Sequence, residues 1–159
     1  MTSVNLPESI AMLTVETLDR HEAATEEWLR LGVRIVVTGR DAANSQAVLQ
    51  QMLALFWPMA ELYDFYTTPY PRLPEATVLR IAFDLPASFE GGVSGIVQSI
   101  GGAGWVIDMY EDGEQAAMWK PEDGAVRPLC EHFHSAEINL IPSSHLADFR
   151  KTAGPRLQQ

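Results

Sequence analysis

Apolar positions along this chain recur with two different periods, and the switches between them predict its elements. Residues 1–13 hold Pro7 and the short apolar set Ile10, Met12 and Leu13, and read as an extended arm or a single turn. From residue 17 the pattern is helical, because Leu18, Ala24, Trp28, Leu29 and Leu31 fall near one side and Asp19, Arg20, Glu22, Glu26, Glu27 and Arg30 on the other, with Gly32 as the stop. Residues 32–39 are β-branched and bounded by glycines, which predicts a buried strand. A helix capped by Asp41, Asn44 or Ser45 then runs to Phe56 with Val48, Leu49, Met52, Leu53, Leu55 and Phe56 as its apolar side, ending before Pro58.

Residues 62–68 read as an aromatic strand that stops at Pro69, and Pro69, Pro71 and Pro74 stiffen the connection after it. Residues 77–84 alternate, with Leu79, Ile81 and Phe83 on one face and Arg80, Ala82 and Asp84 on the other, which predicts a half-buried strand. Ser88 is the expected cap of a helix carrying Phe89, Val93, Ile96, Val97 and Ile100, closed by Gly101 and Gly102. Trp105, Ile107 and Met109 alternate along a further strand. Asp112-Gly113 then predicts a type I′ hairpin turn into residues 115–120, where Ala117 and Trp119 share a face. A second Asp-Gly at 123–124 marks another turn, and residues 136–141 read as a last strand.

From Val33 to Tyr110 the predicted order is strand, helix, strand, strand, helix, strand. That is the ferredoxin-like split βαβ order of an α+β protein, with two helices on one face of an antiparallel sheet. The N-terminal helix and the C-terminal strands are expected additions to it. At 159 residues the chain fits a single domain, 1–159, with a flexible tail from about residue 150, and a domain of this size buries roughly 68 to 70% of its unfolded surface.

Charge narrows the partners. Asp and Glu number 21 against 11 Lys and Arg, a formal net charge of -10, which opposes direct binding to nucleic acid or anionic lipid and favours a basic protein partner. Cys130 is the single cysteine, so no intramolecular disulfide can form. The first residues lack the basic and apolar regions of a secretory signal, and no apolar run reaches the roughly 18 residues of a membrane span, so a cytoplasmic protein is expected.

Candidate chemistry is sparse. In Cys130-Glu-His-Phe-His134 an extended backbone would put Cys130, His132 and His134 on one side as metal ligands, with Glu137 or His145 as a fourth. No second spaced Cys/His pair exists, and the expectation is a protein without metal or other cofactor. Ser143-Ser144-His145 lacks a nucleophile elbow, and the glycines between 91 and 104 lack Walker or dinucleotide spacing, so no enzyme activity is expected.

Two further groups bear on binding. Glu111, Asp112 and Glu114 gather carboxylates around the tight turn, while Asp64, Tyr63 and Tyr66 could complete a partner-binding surface. A different use of the aromatic residues is a small-molecule pocket under Trp105, Trp119 and the stretch from Tyr63 to Tyr70, as in a ferredoxin-like sensor or enzyme.

The acidic α/β chain with the hairpin Trp105-Val-Ile-Asp-Met-Tyr-Glu-Asp-Gly113 continuing to Ala117-Met-Trp-Lys120 resembles, in general character, the immunity proteins of bacterial contact-dependent inhibition and other polymorphic toxin systems. The resemblance implies a protein-binding inhibitor that neutralises a cognate toxin domain, often a nuclease, by covering its active site or a nearby surface. It carries no diagnostic motif, so it transfers no residue role.

Overall fold

In the computed structural model, which describes residues 27–39, 42–122 and 126–146, the chain builds a six-stranded sheet around its first described strand. In chain order the elements are β1 (Trp28–Thr38), α1 (Ala42–Phe56), β2 (Glu61–Pro69), β3 (Ala76–Pro86), α2 (Gly92–Ile100), β4 (Val106–Met109), β5 (Gln115–Trp119) and β6 (Phe133–Pro142). The order across the sheet is β2-β3-β1-β6-β5-β4, and every neighbouring pair is antiparallel. The protein is therefore α+β.

Alternation along the strands decides which face is buried. Leu31, Val33, Ile35 and Val37 of β1, with Leu79, Ile81, Phe83 and Leu85 of β3, form one apolar cluster with Val48, Leu49, Met52, Leu53 and Phe56 of α1 and Val93, Ile96, Val97 and Ile100 of α2. Both helices thus cover the same face. From β5 and β6 the cluster takes Trp119, Phe133, Ile138 and Leu140, and Phe133 meets Trp119 edge-on at 5.7 Å between ring centroids.

The second face is where the alternate residues lie. Arg30 stands directly opposite Asp84 in the β1–β3 register, and its Nε donates to Asp84 Oδ1 at 2.6 Å. Both residues are buried, at 8% and 2% exposure, so the pair is shielded from water. The Arg30 guanidinium also lies over the Tyr63 ring at 3.8 Å and the Trp28 ring at 4.8 Å.

Four expectations change. Residues 28–31, read as the end of a helix, are strand, because they pair with Pro86 to Phe83 on one side and Leu29 to Leu31 pair with Pro142 to Leu140 on the other. The neighbour of β1 on its second edge is β6, not the strand around Trp105 to Met109, which instead takes the far edge of the sheet as β4. Helix α2 begins at Gly92 and not at Ser88. Its first-turn amide of Val93 donates to Gln115 Oε1 at 2.8 Å, and Phe89 packs against the core ahead of it.

The hairpin turn is the fourth change. Gly113 has φ 93, but Leu129 is the only non-glycine with positive φ among the described residues, so Asp112 does not adopt the type I′ conformation. The Gly113 amide donates to Tyr110 O at 3.1 Å and the Tyr110 amide to Glu114 O at 2.9 Å, a turn followed by a glycine bulge. The arm at 1–13, residues 17–26 of the expected N-terminal helix, the Asp-Gly at 123–124 and the tail from about 150 lie outside the described residues. Among the described residues no helix is long and apolar enough to cross a membrane.

The buried pair yields a stability prediction. Asp84→Ala leaves the Arg30 charge buried without this carboxylate and should cost about 3 to 5 kcal/mol in urea unfolding, whereas Arg30→Met with Asp84→Leu should recover most of the loss. A cost for Asp84→Ala within about 0.5 kcal/mol of zero would show that the pair does not matter to the fold.

Candidate protein-binding site

Strand β4 owes its position to its partner. It pairs only with β5 among the described residues, Val106 against Met118 through Met109 against Gln115, and so forms the outer edge of the sheet. All four of its residues are exposed, with Val106 at 61% and Met109 at 66%, and Tyr110 beyond it is 54% exposed. Apolar side chains of this size standing in water are the kind of surface that a partner covers.

The turn after β4 places the carboxylates. Glu111 and Asp112 are exposed, and Asp112 Oδ1 accepts the Glu114 amide at 3.0 Å, which fixes the loop. Glu114 is different. It is half-buried and its Oε2 lies 2.7 Å from His145 Nδ1, in the helical turn at 143–146 after β6. Ser144 next door donates to Glu27 Oε1 at 2.8 Å.

Three segments therefore meet here: the residue before β1, the β4–β5 turn and the turn after β6. One ligand atom from each of Asp112, Glu114 and His145 lies within 4.8 Å of the others, the one such grouping of three His, Cys or acidic residues among the described residues. The hydrogen bond to Glu114 raises the His145 pKa above its ordinary 6.5, helped by the charges of Glu114, Asp112 and Glu27 and opposed by partial desolvation.

The expected site residues do not assemble into one surface. Glu111, Asp112 and Glu114 lie at the β4 side of the sheet, and Asp64, Tyr63 and Tyr66 on β2 at the other edge, five strand spacings or about 24 Å away. Asp64 is exposed and accepts the Phe65 amide at 2.9 Å, Tyr63 stacks on Arg30, and the Tyr66 hydroxyl is buried opposite Arg80. Both rings serve the sheet on which they lie.

The aromatic pocket is not assembled either. Trp119 is 1% exposed and its indole N–H donates to Ala103 O at 2.8 Å, while Trp105 donates to Gly101 O at 2.9 Å and meets Phe133 edge-on. These rings pin the connection after α2, and the Tyr63 to Tyr70 stretch is at the opposite edge.

Cys130, His132 and His134 do not converge. The chain bends at 128–132 and becomes strand only at Phe133, so the extended geometry that would align them is missing. His132 Nδ1 is 3.4 Å from Thr38 Oγ1, His134 Nδ1 is 3.2 Å from Ser135 Oγ, and Cys130 packs against the core. Ser143 Oγ accepts the Trp28 amide at 3.1 Å, which gives it a structural role.

Pairing of β5 with β6 brings His145 to Glu114 across 31 positions, and no local pattern in the sequence announces that contact. The chain matches no family model, no curated protein and no solved structure.

A pH dependence arises from the raised His145 pKa. The stabilisation is fully present below pH 6.5, the unfolded value, and is lost as pH rises through the higher folded value. Thermal unfolding should show a decline over that window that His145→Gln abolishes, and NMR should find His145 titrating above 6.5. Titration of His145 at or below 6.5 would contradict the ion pair.

Proposed function

We propose that this protein acts by binding, as a cytoplasmic inhibitor of the immunity type that neutralises a cognate bacterial toxin domain, a nuclease being the class its charge fits best. The observation that carries this reading is the β4–β5 hairpin, an exposed sheet edge with Val106, Met109 and Tyr110 in solvent beside the exposed carboxylates of Glu111 and Asp112. A net charge of -10 steers such a protein toward a basic surface of the kind that holds nucleic acid.

The two kinds of group have different tasks. Carboxylates in water speed encounter and orient it, whereas desolvated apolar and aromatic contacts hold the complex once formed. The hairpin carries both within a few residues. Asp64, Tyr63 and Tyr66, about 24 Å away, are therefore left out of the primary contact.

In the same reading, β1, α1, β2, β3, α2 and β6 form a ferredoxin-like core into which the β4–β5 hairpin is inserted. The order β2-β3-β1-β6 within the sheet supports this, as does the packing of both helices on one face. An insertion that adds an edge to a complete core is a natural place for a binding surface.

The test begins with co-expression of this chain and the product of the neighbouring gene, followed by pull-down and growth rescue. With a verified toxin partner, Glu111→Lys with Asp112→Lys should slow association about tenfold or more at low salt and flatten its salt dependence. Tyr110→Ala and Met109→Ala should mainly speed dissociation. Unchanged kinetics in all four substitutions would exclude this surface, and failure of rescue with every adjacent gene product would count against the immunity role.

A further inference from the structure

The two edges of the sheet are built differently. Strand β2 carries the devices that discourage pairing with another chain, a register irregularity between Leu62 and Asp64 and a terminal proline, Pro69. Strand β4 is short and carries Asp108, but it has no bulge, no proline and no lysine. It also carries apolar side chains on both faces: Ile107 shares the helix-covered side with the buried Ala117 opposite it, and Val106 shares the other side with Met118. Apolar residues on both faces suit a strand whose two faces are both covered, and here Val106 and Met109 stand in water instead.

Hydrogen-bond parity shows which backbone groups are available. The Tyr110 amide donates to the carbonyl of Glu114 just before β5, and in an antiparallel pair every second residue points both its N–H and its C=O toward the partner. Asp108 and Val106 therefore face β5 as Tyr110 does. The N–H and C=O of Ile107 and Met109 point away from it, with no pairing strand among the described residues.

We propose that β4 accepts an extended basic segment of a partner protein as a seventh strand, paired through the backbone of Ile107 and Met109. The inference rests on the binding function of the β4–β5 hairpin and specifies its geometry. Charge decides the occupant. A second copy would bring two chains of net charge -10 together, with Asp108 of each beside the paired edges, whereas a segment with Lys or Arg opposite Asp108 and apolar residues beside it matches both the charge and the exposed Val106 and Met109.

The experiment uses the full chain and calorimetric titration with a synthetic peptide alternating Lys with Val and Thr, the same peptide N-methylated throughout, and a Glu-for-Lys counterpart. The parent peptide should bind, and N-methylation should weaken it at least about tenfold, the loss of two or so backbone hydrogen bonds. The acidic peptide should not bind. Met109→Pro removes one outward N–H at an edge position that tolerates proline, and should weaken the parent peptide while circular dichroism stays unchanged.

Binding that ignores N-methylation and Met109→Pro but disappears when Glu111 and Asp112 are reversed would overturn strand addition and leave the proposed binding function standing. Absence of binding by the parent peptide at millimolar concentration would also overturn it. A dimer in sedimentation that Met109→Pro abolishes would replace the basic segment with a second copy.

Discussion

Every other element is placed by the double pairing of β1. Its eleven residues meet β3 along their whole length on one edge, and nine of them, from Leu29 to Val37, meet β6 on the other, so its backbone is satisfied on both sides. Its alternate side chains then have fixed assignments: Leu31, Val33, Ile35 and Val37 turn into the helices, and Arg30, Arg34 and Val36 to the second face. Once β6 holds the place beside β1, the hairpin between α2 and β6 can only extend the sheet outward. The position of β4 at the edge is thus a consequence of which strand won the centre.

That competition was not legible locally. The alternation at 77–84 and the helical period running to Phe56 each name a face directly, and a strand and a helix stand there, although Asn44 and Ser45 lie inside the helix and do not cap it. Residues 28–31 satisfy a helical pattern equally well, and only their distant partners, Phe83 to Pro86 and Leu140 to Pro142, decide for strand. Likewise, Trp105 to Met109 follows α2 in sequence and reads as the fourth core strand, but β6 brings Phe133, Ala136, Ile138 and Leu140 to the helix-covered face, where a four-residue strand with exposed Val106 and Met109 has little to bury.

For the candidate site, the sequence named the acidic turn correctly as a turn and misplaced its companions. Asp-Gly marks a reversal, and Gly113 does take the positive φ, but the Tyr63 and Tyr66 rings belong to a strand five places away. Distance across a sheet is invisible until strand order is known. The contact of His145 with Glu114 was hidden for the same reason, since it exists only because β5 and β6 are neighbours.

Among the described residues no strand pairs with the outer edge of β4, and amide hydrogen exchange resolved residue by residue by NMR reads such an edge directly. In the protein alone, the Ile107 and Met109 amides should exchange close to the unprotected rate while Asp108 and Tyr110, turned toward β5, are slowed and Val33 and Ile35 in β1 are slowest. Strong protection of Ile107 and Met109 in the absence of any partner would mean that the edge is already filled, and would contradict its role as a docking strand.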